Sequence, residues 1–526
     1  MKEILILILS TICTMSFSQG IKKENKYLSD FEYLVAKLQE THPEPYKGFG
    51  GAIAFNRAKQ ETAAAISENM TDKQFVLLSN RFLSNLNDGH TMIFFPKSKD
   101  ELSLQFPIQF KISADGLFIH NASKKYAKYI GSFLVKVNNV SVNDLLNRVK
   151  YFEPTENMSG RYNALSRCIL NPSRADKFFG TTKLKLTLKN SDGIEETIEP
   201  LFQQNVEFMA EKSTIKFKKA NGLIFYKMLG KNKKVAYFRW NSMLGREIVE
   251  NTYKNNPKWV KRDIDWAYTY SENNPTGNTL QDIKNIPALY EQFYHLSKDI
   301  KANKAKHLII DLRYNGGGMT PLVNSLLYIL YGNKYLNFDF EANWVRRVSS
   351  LYLQESGAKN IDDYRAYMKN KNIKEYLFYP FGNFGADMSL AQKVQKVKNG
   401  FNGFGSEYIN KTPLLMDVQI IVLCSPKTFS AAYHFTYFMK KLGRTTIVGV
   451  ASRQAGNTYM QSTRLTLPKT KIKGTISNSK QILFDEESES AKILRPDYEM
   501  TWEDYKKYNF DANAEILKAL EIIIPR

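Results

Sequence analysis

The most constraining feature of this chain is the transition Ile309-Ile310-Asp311-Leu312-Arg313-Tyr314-Asn315-Gly316-Gly317-Gly318. An apolar strand pattern runs into three consecutive glycines, and a mostly apolar helix pattern follows over Pro321 to Tyr331. Glycines at such a junction let the backbone approach a ligand and turn its amides outward, and the following helix adds positive potential. The loop suits an oxyanion or a phosphate. The P-loop is excluded because its Gly-Lys-Ser/Thr is absent. The dinucleotide fingerprint is excluded because its later glycine is missing.

The same alternation recurs on both sides of this transition. Val235 to Trp240, Val418 to Cys424 and Thr446 to Val450 read as strands, and Ala288 to Ile300 and Ser430 to about Lys441 as helices. Residues 206–526 therefore read as an α/β core, interrupted at about 333–411 by a segment rich in Tyr, Phe, Asn and Lys that suits either a lid or an elaborated surface. Residues 101–205 are different. Short strands at Pro107 to Ile112, Gly116 to His120, Phe133 to Val137 and Lys183 to Leu188 mark a β-rich module. Residues 19–100 read as helical, with capping boxes at Ser29 to Glu32 and Thr71 to Gln74 and with Gly89 closing the second helix. The expected fold is multidomain α/β.

Residues 1–18 have a charged start, an apolar run from Ile4 to Ile12 and small residues Ser16 and Ser18 before Gln19. That layout predicts a cleaved signal peptide and an exported protein, secreted, periplasmic or outer-membrane-associated. Cys13 would leave with it, and Cys424, closing an apolar strand, reads as a buried free thiol. No CxxC or dense His/Cys cluster suggests a metal, and no cofactor is expected. The net charge of +22 is spread along the whole chain without a nucleic-acid module, so no nucleic-acid partner is expected, although the charge suits contact with an anionic membrane surface.

A second loop, Cys424-Ser425-Pro426-Lys427-Thr428-Phe429-Ser430-Ala431-Ala432, ends a strand and opens a helix at Ser430. Serine there is ordinarily an N-cap, but Ala431 and Ala432 permit close packing beside a substrate. Together the two loops resemble those of the tail-specific, or C-terminal processing, serine peptidases (family S41). Those cores carry an Asp-x-Arg-x-Asn-Gly-Gly-Gly loop, here Asp311 to Gly318, and a Ser-Ala helix start, here Ser430-Ala431. Asp88-Gly89-His90-Thr91 resembles a feature of the tricorn-core branch, and Gly131 to Asn139 with Leu145-Leu146 resembles half of a PDZ domain. The resemblance implies a crotonase-like ββα catalytic core, a PDZ-like module, and hydrolysis of a polypeptide or peptide substrate.

In the lysine-using branch of that family the base follows the serine in a Gly-Lys-Gly setting. Here the corresponding Gly449 to Asn457 has no lysine, and the guanidinium of Arg453 cannot accept a proton. His90 is left as the expected general base for Ser430, with His434 its chief rival. The resemblance implies a glutamate shortly before Pro496-Asp497, for which Glu489 is the choice, and oxyanion donors among the amides of Gly317, Gly318 and Ala431. A second reading is a ligand- or peptide-binding protein on the same scaffold, as in the retinoid-binding relatives.

Overall fold

The computed structural model describes residues 25–96, 104–217, 222–385 and 387–523. The expected signal peptide and Cys13 lie outside the described residues. The core is a six-stranded sheet. Ile224–Leu229 pairs antiparallel with Val235–Trp240, and from there His307–Asp311, Gln419–Cys424, Thr445–Gly449 and Tyr498–Glu499 follow in parallel. Parallel strands need cover on both faces, and alternate residues of one strand supply it. Leu308 and Ile310 join the cluster formed by the helices Leu289–Asn303, Val323–Tyr331 and Ala431–Leu442. Ile309 points the other way, with Ile421, Leu423 and Val448, onto Met500, Tyr505 and Ile516. Tyr505 and Ile516 belong to the helices Trp502–Lys507 and Ala514–Ile523.

The β-rich module is a second six-stranded sheet, formed by Ile108–Ser113, Gly116–Ala122, Phe133–Val137, Val140–Ser141, Leu186–Lys189 and Glu195–Ile198. Its Phe118 packs its ring at a tilt against Tyr505 and Phe510, so the module rests on the core through the C-terminal segment.

A third sheet joins segments far apart in sequence. The two-residue strand Met92–Ile93 pairs antiparallel with Lys473–Ile482, Met92 opposite Thr475 and Ile93 opposite Gly474. Lys473–Ile482 also pairs with Thr458–Thr466 and with Asn343–Arg347, which in turn pairs with Tyr376–Pro380. The last two strands belong to the 333–411 segment, which is thus built into a sheet as well as into surface helices.

Two local expectations change. The first helix runs over Lys26–Thr41, capped by the Asn25 side chain and not by Ser29, because the buried Tyr27 packs on Phe75 and carries the helix a turn further back. Thr71 forms its capping box as expected, but the Asp72–Leu83 helix ends through a short 3-10 turn in which Asn87, with φ 52°, takes the left-handed position assigned to Gly89. Cys168 and Cys424 are both buried free thiols.

Candidate active site

Ser430 and the glycine loop meet at the carboxyl ends of adjacent parallel strands, the usual site-bearing edge of such a sheet. Ser430 is not a helix cap. Its backbone stands at φ 53°, ψ −123°, far from the extended conformation of an N-cap, and its side chain makes no capping bond. A non-glycine residue held there costs on the order of 1–3 kcal/mol, so its surroundings must enforce it. They do so through the backbone. Phe429 N donates to Asn315 O at 3.1 Å, Ser430 N donates to Gln454 Oε1 at 2.6 Å, and Ser430 O accepts from His434 N at 2.9 Å.

Gly317 is required by space as well as conformation. At φ 105°, a Cβ there would fall 2.7 Å from Ser430 Cβ and 2.8 Å from Phe429 O. Its amide, however, donates to Asn315 Oδ1 at 2.9 Å. That engagement leaves Gly318 and Ala431 as the free donors beside the serine. The amide of Ala431 opens a helix and has no intrahelical partner, and that of Gly318 has no hydrogen-bond acceptor among the described residues.

His90 arrives from the N-terminal region. Its amide donates to Asp88 Oδ1 at 2.8 Å, and its carbonyl accepts from Thr475 Oγ1 at 2.8 Å and Ser462 Oγ at 3.2 Å. Its ring stacks on Phe429, the residue before Ser430, with centroids 5.2 Å apart. No hydrogen bond joins His90 to Ser430 among the described residues, and apo enzymes often show such gaps. Nδ1 of His90 lies 3.5 Å from Glu156 Oε1 and 3.8 Å from Asp88 Oδ1. Burial pulls the imidazole pKa down, but the Glu156 carboxylate and then Asp88 outweigh it, and the net shift is upward.

Glu156 was not singled out by sequence reasoning. It sits in the connection before the Met158–Leu170 helix, with its other oxygen accepting from Ala455 N and Thr458 Oγ1, each at 2.8 Å. Gly89 makes room for it, since a Cβ there would lie 3.0 Å from Glu156 Oε1. Glu489, the acid expected beside the histidine, is instead largely exposed and pairs with Arg495 Nε at 2.8 Å. It opens the short helix Glu489–Lys492, which directs it to solvent. Gln454 was also missed. The loop in which the lysine branch carries its base supplies here Gln454 to the Ser430 amide, Ala455 N to Glu156, and the Arg453 guanidinium 4.5 Å over the Phe429 ring.

His434, the rival base, is buried with Nδ1 2.9 Å from Thr320 Oγ1 and its ring against Phe381, and burial pushes its pKa down to about 4. Asp88, His90 and Glu156 bring one potential ligand atom each within 4.8 Å of one another. Asp88 is already engaged by His90 N, the Thr91 hydroxyl and His42 Nε2, which makes the trio a poor cation cage. No helix among the described residues is long and apolar enough to cross a membrane.

Comparison with known proteins agrees with this geometry. Residues 279–500 match the model of peptidase family S41. Over these residues, which include Ser430 and the glycine loop, the chain is similar to that family's serine-type peptidases. Two solved structures of mature CPAF, one of them complexed with lactacystin, have the same fold. They cover 94% and 95% of this chain and 98% of their own, with TM-scores of 0.55 and 0.53, at 15% and 16% identity. No curated protein matches the chain in sequence. Ser430, Gly317 and Gly318 lie inside the matched region, whereas His90 and Glu156 lie before it.

Proposed function

We propose that this chain is an exported peptidase that cleaves extracytoplasmic polypeptides through an acyl-enzyme on Ser430. The observation that carries the reading is the Ser430 backbone, held at φ 53° with its hydroxyl released from capping, against a glycine loop whose Gly318 amide has no acceptor among the described residues. Ser430 Oγ attacks the scissile carbonyl carbon while its proton passes to His90 Nε2. The amides of Gly318 and Ala431 receive the oxyanion. His90 then returns the proton to the leaving amine as the C–N bond breaks. Water attacks the ester with His90 again taking a proton, and that proton goes back to Ser430 Oγ as the acid product leaves.

Glu156, facing His90 Nδ1, holds the ring in the tautomer that leaves Nε2 unprotonated and stabilises the imidazolium when it forms. It takes the orienting role that the family resemblance would give to Glu489. The sequence supports export through residues 1–18.

Labelling with a fluorophosphonate probe tests the reading. The wild type should be modified at Ser430, Ser430→Ala should be neither labelled nor active, and His90→Ala should be labelled much more slowly. Removing a triad member typically costs several orders of magnitude in rate. An unlabelled wild type that nonetheless binds peptide would make the chain a binding protein on a peptidase scaffold.

A further inference from the structure

Beside Gly318 opens a cavity of about 410 Å³, within the size range of small-ligand sites. The 333–411 segment supplies most of its aromatic wall: Trp344, Tyr379, Phe381 and Phe384, with Phe438 of the Ala431–Leu442 helix behind them. These rings support one another, Trp344 against Tyr379 at 6.2 Å and Phe381 at 5.3 Å, and Phe381 against Phe438 at 5.6 Å. Gly382 lets the wall close, since at φ 82° a Cβ there would fall 2.5 Å from the Phe438 ring. The mouth is formed by Gly318 and Thr320. Thr320 is bonded to His434, one turn beyond Ser430.

Charge narrows what fits. Among the described residues no carboxylate lines the cavity, and its one permanent charge is Lys396, whose ammonium lies 5.7 Å over the Phe384 ring. His434, with its pKa pushed down to about 4, is neutral. Trp344 Nε1–H is buried without a hydrogen-bond partner among the described residues. A cationic side chain would meet a like charge with no counter-ion. An aromatic one would stack on the Trp344 and Tyr379 rings.

We infer that this cavity receives the side chain of the residue whose carbonyl is attacked, and that the peptidase therefore cuts after aromatic residues. The inference rests on the proposed serine mechanism, because a carbonyl oxygen held by the amides of Gly318 and Ala431 puts the neighbouring side chain at the Gly318 edge of the cavity. The 333–411 segment is thus a specificity element.

The test has two arms. Fluorophosphonate labelling of Ser430 reports the machinery without using the cavity. Cleavage of a set of peptides, identical except for Phe, Tyr, Leu, Lys or Asp at one position, reports the cavity, with cut sites read by mass spectrometry. Phe and Tyr should exceed Lys and Asp in kcat/KM by about tenfold or more, the scale of discrimination by an apolar pocket. Trp344→Ala should erase most of that ratio, measured relative to the labelling rate of the same variant. Lys396→Glu, on an exposed side chain that tolerates replacement, should narrow the Phe-over-Lys ratio several-fold. Normal labelling with no preference, with preference for Lys, or with aromatic residues favoured only after the cut bond would overturn the inference. Absence of labelling would overturn the serine mechanism first, and this assignment with it.

Discussion

Two buried aspartates, one opening the glycine loop and one just before His90, are treated differently. Asp311, at the end of its strand, accepts from Arg313 Nε at 2.9 Å and Nη2 at 2.8 Å, from Tyr237 OH at 2.6 Å and from Arg239 Nε at 3.3 Å. Arg313 continues to Glu515 Oε2 at 2.5 Å on the C-terminal helix, and Glu515 also binds Lys111 Nζ at 2.8 Å. Burial alone would raise these carboxyl pKa values, but the guanidiniums and Lys111 drive Asp311 far below the carboxylate range and Glu515 down to about 2. Asp88 also sits at about 2, against the same burial penalty, through His42, His90 and the Thr91 hydroxyl. Its ring partners are imidazoles, and the neighbouring pair His90 Nδ1 and Glu156 Oε1 faces across 3.5 Å without a proper hydrogen bond. Guanidiniums cannot lose a proton, so the first cluster is fixed at any working pH. Imidazoles can, so the second is where a proton can be moved. The Asp-x-Arg of the glycine loop thus anchors the fold, and in the proposed mechanism the proton transfer falls to the Asp-Gly-His-Thr side.

Arg313→Ala should give the largest stability loss, about 3–5 kcal/mol, because it leaves Asp311 and Glu515 buried without their main counter-charge. Chemical denaturation should show it, and a loss below 1 kcal/mol would erase the distinction between the clusters. Asp88→Asn comes next. The fall from 3.8 to about 2 corresponds to about 2 kcal/mol. Since the folded pKa is depressed, that contribution is present above pH 3.8 and disappears as pH falls through about 2. The variant should therefore flatten the acid limb of a stability–pH curve. If the two limbs superimpose, Asp88 is not held by its partners.

Glu156→Gln should change stability less than either of these and kinetics most. His90 must be neutral to act as a base, so the rising limb of kcat/KM should lie above about 6.5 in the wild type and move down in the variant, with a lower plateau. The raised imidazole pKa also means that its stabilising contribution is full below about 6.5 and lost as pH rises through the folded value. Glu489→Gln should leave both profiles unchanged, since its partner is Arg495 at the surface. A shift in Glu489→Gln with none in Glu156→Gln would reverse the assignment of the acid.

The parts of this site that were legible in the sequence are those encoded by local spacing. A strand running into Gly316-Gly317-Gly318, a strand running into Ser430-Ala431, and a histidine placed just after a helix end each need only their neighbours to be recognised. The core strands followed for the same reason, because Leu308 to Ile310 and Ile420 to Leu423 are apolar on both faces. Glu156 has no such signature. It lies in Pro154-Thr155-Glu156-Asn157, just before the helix that Asn157 caps, and its partners Ala455 and Thr458 come from the far end of the chain. Glu489 was attractive because it stands near Pro496-Asp497 in an acidic run, yet spacing does not decide which way a side chain turns. Gln454 was hidden because its function is to receive one backbone amide, a task that any nearby carbonyl oxygen could have filled.

The pairing of Met92–Ile93 with Thr475 and Gly474 also bears on the order of events during biosynthesis. The segment carrying His90 leaves the ribosome early, but the strand that pins it, and the hydroxyls of Ser462 and Thr475 that hold its carbonyl, are made after Ser430. Contacts so distant along the chain form late in folding. A growing polypeptide thus carries the proposed nucleophile and base unassembled until the hairpin ending at Ile482 has emerged, and on that mechanism a truncated product lacking the hairpin would be unable to digest its maker.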